Sequence, residues 1–305
     1  MRKKQPDISD RTLSDNNFGQ LIRESNSNHY SSNYKNHQVP KDTERGFDLL
    51  DINSPLTDWS SLILAIDTQN SIEQIITERK FADNLAKYGL KPKQKLLFTG
   101  QPGTGKTSSA EVLSFKLSLP LVTVNFESVI SSYLGETSAN LKHIFDFISI
   151  GQYVVLFDEF DIIGKKRDDP TEHGEIKRVV NNFMLMLDHF KGNSIIIAAT
   201  NHAHLLDVGV WRRFDDIIFF DLPSVKNRER IFEKYLKMVH LSDEVNIEKI
   251  ARSASYYSGS DIEQVCVAAI KECILNNRTT IELSDIKDAI SRQNKRKGFL
   301  KGSYA

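Results

Sequence analysis

Gly100-Gln101-Pro102-Gly103-Thr104-Gly105-Lys106-Thr107 follows the apolar run Leu96-Leu97-Phe98, and Ser108 carries it into a helix-forming segment. Glycines let a backbone fold tightly and aim successive N–H groups at phosphate oxygens, and the N-terminus of the next helix adds partial positive charge. The stretch therefore reads as a phosphate cradle. Lys106 would reach the β/γ-phosphates and Thr107 would hold Mg²⁺. Alone, the cradle would serve a kinase, a GTPase or a transporter subunit equally well.

The surroundings narrow the choice. Five short apolar runs, Leu96 to Thr99, Leu121 to Phe126, Tyr153 to Asp158, Ser194 to Thr200 and Asp216 to Phe220, have the continuity of strands buried on both faces. Between them, Leu141, Ile144, Phe145 and Ile148, and then Val179, Phe183, Leu187 and Phe190, repeat with the period of helices burying one face. Met184 and Met186 read as filling in this core. The alternation predicts an α/β fold, a five-stranded parallel sheet covered by helices. After Pro223 only helical patterns follow, one of them opening at Ser260-Asp261-Ile262-Glu263 as a capping box and a last one capped by Ser284. They predict a small all-helical C-terminal domain.

Val154-Val155-Leu156-Phe157 ends in Asp158-Glu159, two carboxylates at the C-terminal edge of a buried strand, where open α/β sheets bind ligands. Asp158 would hold Mg²⁺ through its water shell, and Glu159 would orient or deprotonate the water that attacks a γ-phosphate. Another strand runs into Asn201, whose amide would position the same water or sense the γ-phosphate. His202 and His204 have an H-x-H spacing but lack an evident third ligand, so a metal site is not expected there.

Forty basic and forty acidic residues cancel, so no global field favours nucleic acid or an anionic membrane. No apolar run approaches a membrane span, and Met1-Arg2-Lys3-Lys4 leads into polar residues, the pattern of a soluble, cytoplasmic chain. Cys266 and Cys273 share one helix face and read as reduced core thiols.

In their joint order these residues resemble the AAA+ ATPases, and within them the AAA subgroup in the narrow sense, over about residues 60–292. Gly100 to Thr107 matches its Walker A motif, Val154 to Glu159 its Walker B, Asn201 its sensor 1, and Val210-Trp211-Arg212-Arg213-Phe214-Asp215 its arginine-finger segment. The resemblance implies a P-loop NTPase with a helical lid, hydrolysing ATP with Mg²⁺. It also implies that Arg212 and Arg213 reach the γ-phosphate of a neighbouring subunit in a homohexameric ring. Ser131 to Glu136 matches the first pore loop, with Tyr133 and Leu134 gripping a polypeptide, and Gly259-Ser260 falls in the second sensor region. Trp59 to Lys95 departs from the Gly-rich adenine-contacting sequence of proteasomal and membrane-protease members, leaving those contacts unassigned. The chain looks closer to short standalone bacterial AAA proteins, some of which work beside a protease.

The expected organisation is a polar, flexible arm over 1–50, an α/β nucleotide-binding domain over 51–222, a helical lid over 223–292 and a basic solvated tail over 293–305. Within the arm, Phe18, Leu21 and Ile22 have the spacing of one helical face. The expected activity is ATP-driven remodelling or unfolding of a protein. A nucleotide-switched regulator of a partner such as a protease competes with it, and a nucleic-acid motor is disfavoured by the neutral charge.

Overall fold

The computed structural model describes residues 39–42, 46–124, 126, 129, 134–160, 173–202, 206 and 208–302. Phe18, Leu21, Ile22, Tyr133 and His204 lie outside the described residues, and with them nearly all of the expected arm and pore loop.

A six-stranded sheet forms the centre, in the order β1 (Leu50–Asn53), β3 (Leu121–Val124), β4 (Val154–Phe157), β5 (Ile195–Thr200), β2 (Lys95–Gly100) and β6 (Asp216–Phe220). The five expected strands are all present and parallel. The sixth is β1, which pairs antiparallel with β3, Leu50 opposite Val124. In it Leu50 is buried while Asp51 and Asn53 are exposed, so this edge strand buries one side only and carries two residues that rarely form strands. Just before it, Lys41 bridges to Asp48, so the compact body begins about ten residues earlier than the composition suggests.

Each central strand is apolar on both sides because each side meets helices. Leu96, Phe98, Leu156, Ile197 and Ala199 share one core with Ile72, Ile75 and Ile76 of α1 (Ile66–Lys80) and Ala110 and Leu113 of α3 (Lys106–Leu117). The short α2 (Ala82–Ala86) follows α1. On the opposite face Phe157 packs among Phe126, Phe145 of α4 (Leu134–Ile150) and Phe183 of α5 (His173–His189), with ring centroids 5.0–6.0 Å apart. Aromatic pairs at these distances stabilise beyond their buried area. The expected apolar stripes of α4 and α5 are all buried, as is Met184.

After the short α6 (Val208–Trp211) and β6, a second core forms among α7 (Val225–Leu236), α8 (Ile247–Ser253), α9 (Gly259–Leu275) and α10 (Leu283–Gly302). Cys266 and Cys273 are free and buried within it, and burial pushes the Cys266 thiol up to about 12. Three expectations are corrected here. The region is not wholly helical, because β7 (His240–Leu241) and β8 (Thr280–Ile281) pair in parallel, too short to show a period. The box of α9 is built by Ser258 and Asp261, two residues ahead of the expected Ser260, while α10 starts at Leu283 with Ser284 inside its first turn. Residues read as a solvated tail continue α10 to Gly302. No helix among the described residues is long and apolar enough to cross a membrane.

Candidate active site

The cradle leaves β2 at Gly100, where only glycine fits, since a Cβ there would clash with the Phe220 carbonyl oxygen of β6. Gly105 caps α3 at φ 101°, a left-handed conformation that favours glycine, and sets the first N–H groups of α3 around the turn. Lys106 is buried, and its ammonium donates to the carbonyls of Gly100 at 2.7 Å and Gln101 at 3.0 Å and to Oδ1 of Asn201 at 2.7 Å. The Thr107 hydroxyl donates to Oδ2 of Asp158 at 2.7 Å. The Lys106–Asn201 and Thr107–Asp158 hydrogen bonds join groups that follow β2, β4 and β5, strands adjacent in the sheet and parallel, so all three open at one edge.

Glu159 is exposed beside Asp158 and sits at φ 52°, which turns the chain sharply out of β4 before Phe160 N–H returns to the Ala199 carbonyl at 2.8 Å. Left-handed backbone at a residue with a Cβ costs about 1–2 kcal/mol and concentrates at functional sites.

A cleft of about 440 Å³ runs along this edge. Pro102, Gly103, Thr104, Gly105, Lys106, Thr107, Ser108, Asp158, Glu159, Asn201, Gly259 and Ser260 all line it, so most of the sequence-predicted residues are brought together. The N-terminus of α9 closes directly on the cradle, with Ser260 N–H donating to the Gly103 carbonyl at 3.2 Å. Asn227 of α7 donates to the Leu64 carbonyl at 2.9 Å, and Lys234 donates to the Ser61 carbonyl.

The sequence reading missed the other end of the cleft. Leu62, Ile63, Leu64 and Ala65 meet Ile231 and Tyr235 of α7 and Glu263 of α9 there. Burial, and then the Glu263 carboxylate, push the Tyr235 phenol up to about 12, so it remains a hydrogen-bond donor. The apolar stretch Trp59 to Ile66 is the signal in the sequence that marks this wall.

Two sets of predicted residues lie elsewhere. Arg212 and Arg213 do not line the cleft, because they precede β6, whose first residue Asp216 pairs with Leu96 while its last, Phe220, pairs with Gly100. Four residues of strand separate the two edges by roughly 13 Å. Arg212 is exposed, and Arg213 bonds Asp188 at 2.9 Å and the Gly209 carbonyl at 2.7 Å. Leu134 opens α4. Among the described residues no group of His, Cys, Asp or Glu could hold a metal by itself. Thr107 and Asp158 supply hard oxygen donors side by side at the cradle, which suits Mg²⁺ held together with phosphate and water.

Residues 96–222 match the family model described as ATPase family associated with various cellular activities (AAA), and 244–288 match an AAA+ lid domain. The chain is 35% identical over 256 residues to a Sinorhizobium fredii protein named uncharacterized AAA family ATPase y4kL, covering 83% of this chain and 76% of that one. It is 34% identical over 213 residues to a proteasome-activating nucleotidase of Saccharolobus islandicus, covering 68% of this chain and 54% of the relative. With an ATP-dependent zinc metalloprotease FtsH of Karelsulcia muelleri the identity is 30% over 233 residues, 74% of this chain and 38% of the relative. The chain thus spans about half of the nucleotidase and less of the metalloprotease.

Proposed function

The chain belongs to the AAA family of ATPases, and from that premise we propose that copies of it assemble into a ring that remodels or unfolds a protein substrate, driven by Mg-dependent ATP hydrolysis. The observation that carries the ATP-hydrolysis part of this reading is the convergence of Lys106 with Asn201 and of Thr107 with Asp158 at one sheet edge.

Phosphoryl transfer spreads negative charge over the γ-oxygens, so the work of the site is positioning and electrostatic stabilisation. Lys106 and the N–H groups of Gly103 to Ser108 hold the phosphates. Thr107 and Asp158 hold Mg²⁺, which neutralises phosphate charge when bound. Glu159 and Asn201 orient the attacking water, with Glu159 taking its proton. Gly259 and Ser260 close the lid over the nucleotide, which divides the chain into a nucleotide-binding domain up to residue 222 and a lid beyond it. Arg212 and Arg213, about a strand's length from their own cradle, serve the site of the next subunit, so the functional unit is a homo-oligomer, a hexamer by the example of the family.

Tyr133 and Leu134 grip the polypeptide in the central pore. The names of two relatives, a proteasome-activating nucleotidase and an ATP-dependent metalloprotease, support a protein substrate and favour a protease as partner. Glu159→Gln tests the whole reading. It should bind ATP, turn it over at least about 10²-fold more slowly and retain a protein that the wild type releases. A variant that hydrolyses ATP at the wild-type rate would overturn the assignment of Glu159, and stimulation of the wild type by DNA but by no protein would overturn the substrate class.

A further inference from the structure

Four residues on one face of α10, Ile290, Gln293, Asn294 and Lys297, reach the segment that starts α9. The spacing of three and four residues places them in a row. Lys297 Nζ donates to Asp261 Oδ2 at 2.6 Å and to the Tyr256 carbonyl at 2.9 Å, and Gln293 Nε2 donates to Asp261 Oδ1 at 2.7 Å. The Tyr257 hydroxyl donates to Asn294 Oδ1 at 2.7 Å, with the Ile290 carbonyl at 3.1 Å and the Lys297 ammonium 5.1 Å from its ring centroid. Gln293 is buried, and the Asp261 side chain is only 17% exposed.

Asp261 is the hinge of the cap. Its Oδ2 accepts from the Ser258 N–H at 2.8 Å, and Ser258 Oγ accepts from the Asp261 N–H at 3.3 Å. The cap in turn touches the cradle, for a Cβ on Gly103 would fall 2.7 Å from Ser258 Oγ and 2.8 Å from Ser260 Cβ. With the Ser260 to Gly103 hydrogen bond, an unbroken path of contacts runs from Lys297 and Gln293 through Asp261 to the phosphate loop.

We propose that Lys297 and Gln293 are positioning residues for the nucleotide site, locking Asp261 so that the start of α9 is held in place on the phosphate loop before nucleotide arrives. The proposal rests on the ATPase reading and extends it to the last turns of the C-terminal helix. A capping box alone fixes its N-cap from one side. Here both carboxylate oxygens are also held from α10, so the lid edge is ordered during folding and less ordering remains for binding. Removing the ammonium leaves a largely enclosed carboxylate without its counter-charge, and the carboxylate then turns to water and releases the cap.

The test is ADP binding by calorimetry and steady-state ATP hydrolysis on the full chain. Lys297→Met and Gln293→Leu should weaken ADP by about five- to tenfold, the size expected for a lost cap. The Michaelis constant for ATP should rise in step, with kcat at saturation kept within about twofold. Lys297→Arg, which keeps charge and donors, should bind within about twofold of wild type. Asp285→Asn is the structural control. It breaks the 2.6 Å pair with Arg278 at the start of the same helix, about 18 Å from Lys297, and should lower Tm without moving the ADP affinity.

Unchanged ADP affinity in folded Lys297→Met, or an equal loss in Asp285→Asn, would overturn the proposal. Should Lys297→Met fail to fold, Gln293→Leu decides by the same readout. A wild-type chain that binds no ADP would overturn the ATPase reading itself.

Discussion

Lys106 Nζ lies 2.7 Å from Asn201 Oδ1, although 95 residues separate them in the chain. The amide oxygen thus holds the ammonium that is to meet phosphate, and Asn201 itself lines the cleft. Losing the lysine removes ground-state and transition-state contacts together, whereas losing the amide removes mainly a contact to the attacking water. Lys106→Ala should abolish measurable ATP binding. Asn201→Ala should keep ADP affinity within a few-fold and lower kcat by about 10²-fold, the cost of one transition-state donor. Calorimetry and phosphate release on the same preparations check the split.

Arg213 is engaged with Asp188 at 2.9 Å, on the far side of the sheet edge from its own cradle. Arg213→Ala should therefore bind ATP normally and lose roughly 10³-fold in hydrolysis, the scale of an arginine supplied in trans. Mixing it with Lys106→Ala, which binds no ATP but carries intact arginines, should restore part of the rate. Full activity in a strictly monomeric preparation would count decisively against a shared site.

The parts legible in the sequence are those fixed by local pattern. Val154-Val155-Leu156-Phe157 could only be buried on both faces, and a glycine-rich turn between a strand and a helix has few other uses. The rest depends on distant partners. Leu62 and Tyr235 line the same end of the cleft from positions more than 170 residues apart, and the apolar stretch around Leu62 does not by itself say which distant residues share it. Around α9, Ser258 with Asp261 and Ser260 with Glu263 are two overlapping capping patterns. The box that forms is the one whose Asp261 is also held by Gln293 and Lys297 from another helix. Those same residues looked like a solvated tail because the surrounding charges of Arg292, Lys295, Arg296 and Lys297 hide the helical period.

Gly103 is at φ 73°, and a methyl group there would meet Ser258 and Ser260 below 3.0 Å. Gly103→Ala therefore adds left-handed strain of about 1–2 kcal/mol and pushes the lid edge off the loop. ADP affinity should fall at least tenfold, since about 1.4 kcal/mol is a factor of ten. Gly298→Ala is the contrast, a helical position with nothing within 4 Å of the added carbon. It should raise stability by about 0.5–1 kcal/mol and leave binding alone, as denaturant melts and calorimetry will show.

Asp285 supplies a pH dependence whose sign can be worked out. Its hydrogen bond from Arg278 holds the carboxyl below the ordinary aspartate range, against the opposing effect of burial, and it also accepts from the Glu282 N–H. A folded-state pKa below the unfolded value of about 3.9 means that the pair contributes its full stability above that value. The contribution is lost as pH falls through the folded pKa, because the unfolded chain binds the proton first. Wild type should therefore lose thermal stability steeply below about pH 4. Asp285→Asn, already without the charge, should melt lower than wild type at pH 7 and converge with it in acid. Paired melting curves from pH 7 to pH 3 measure the difference directly. A gap between the two proteins that stays constant across that range would show that Arg278 gains nothing from the ionised carboxylate.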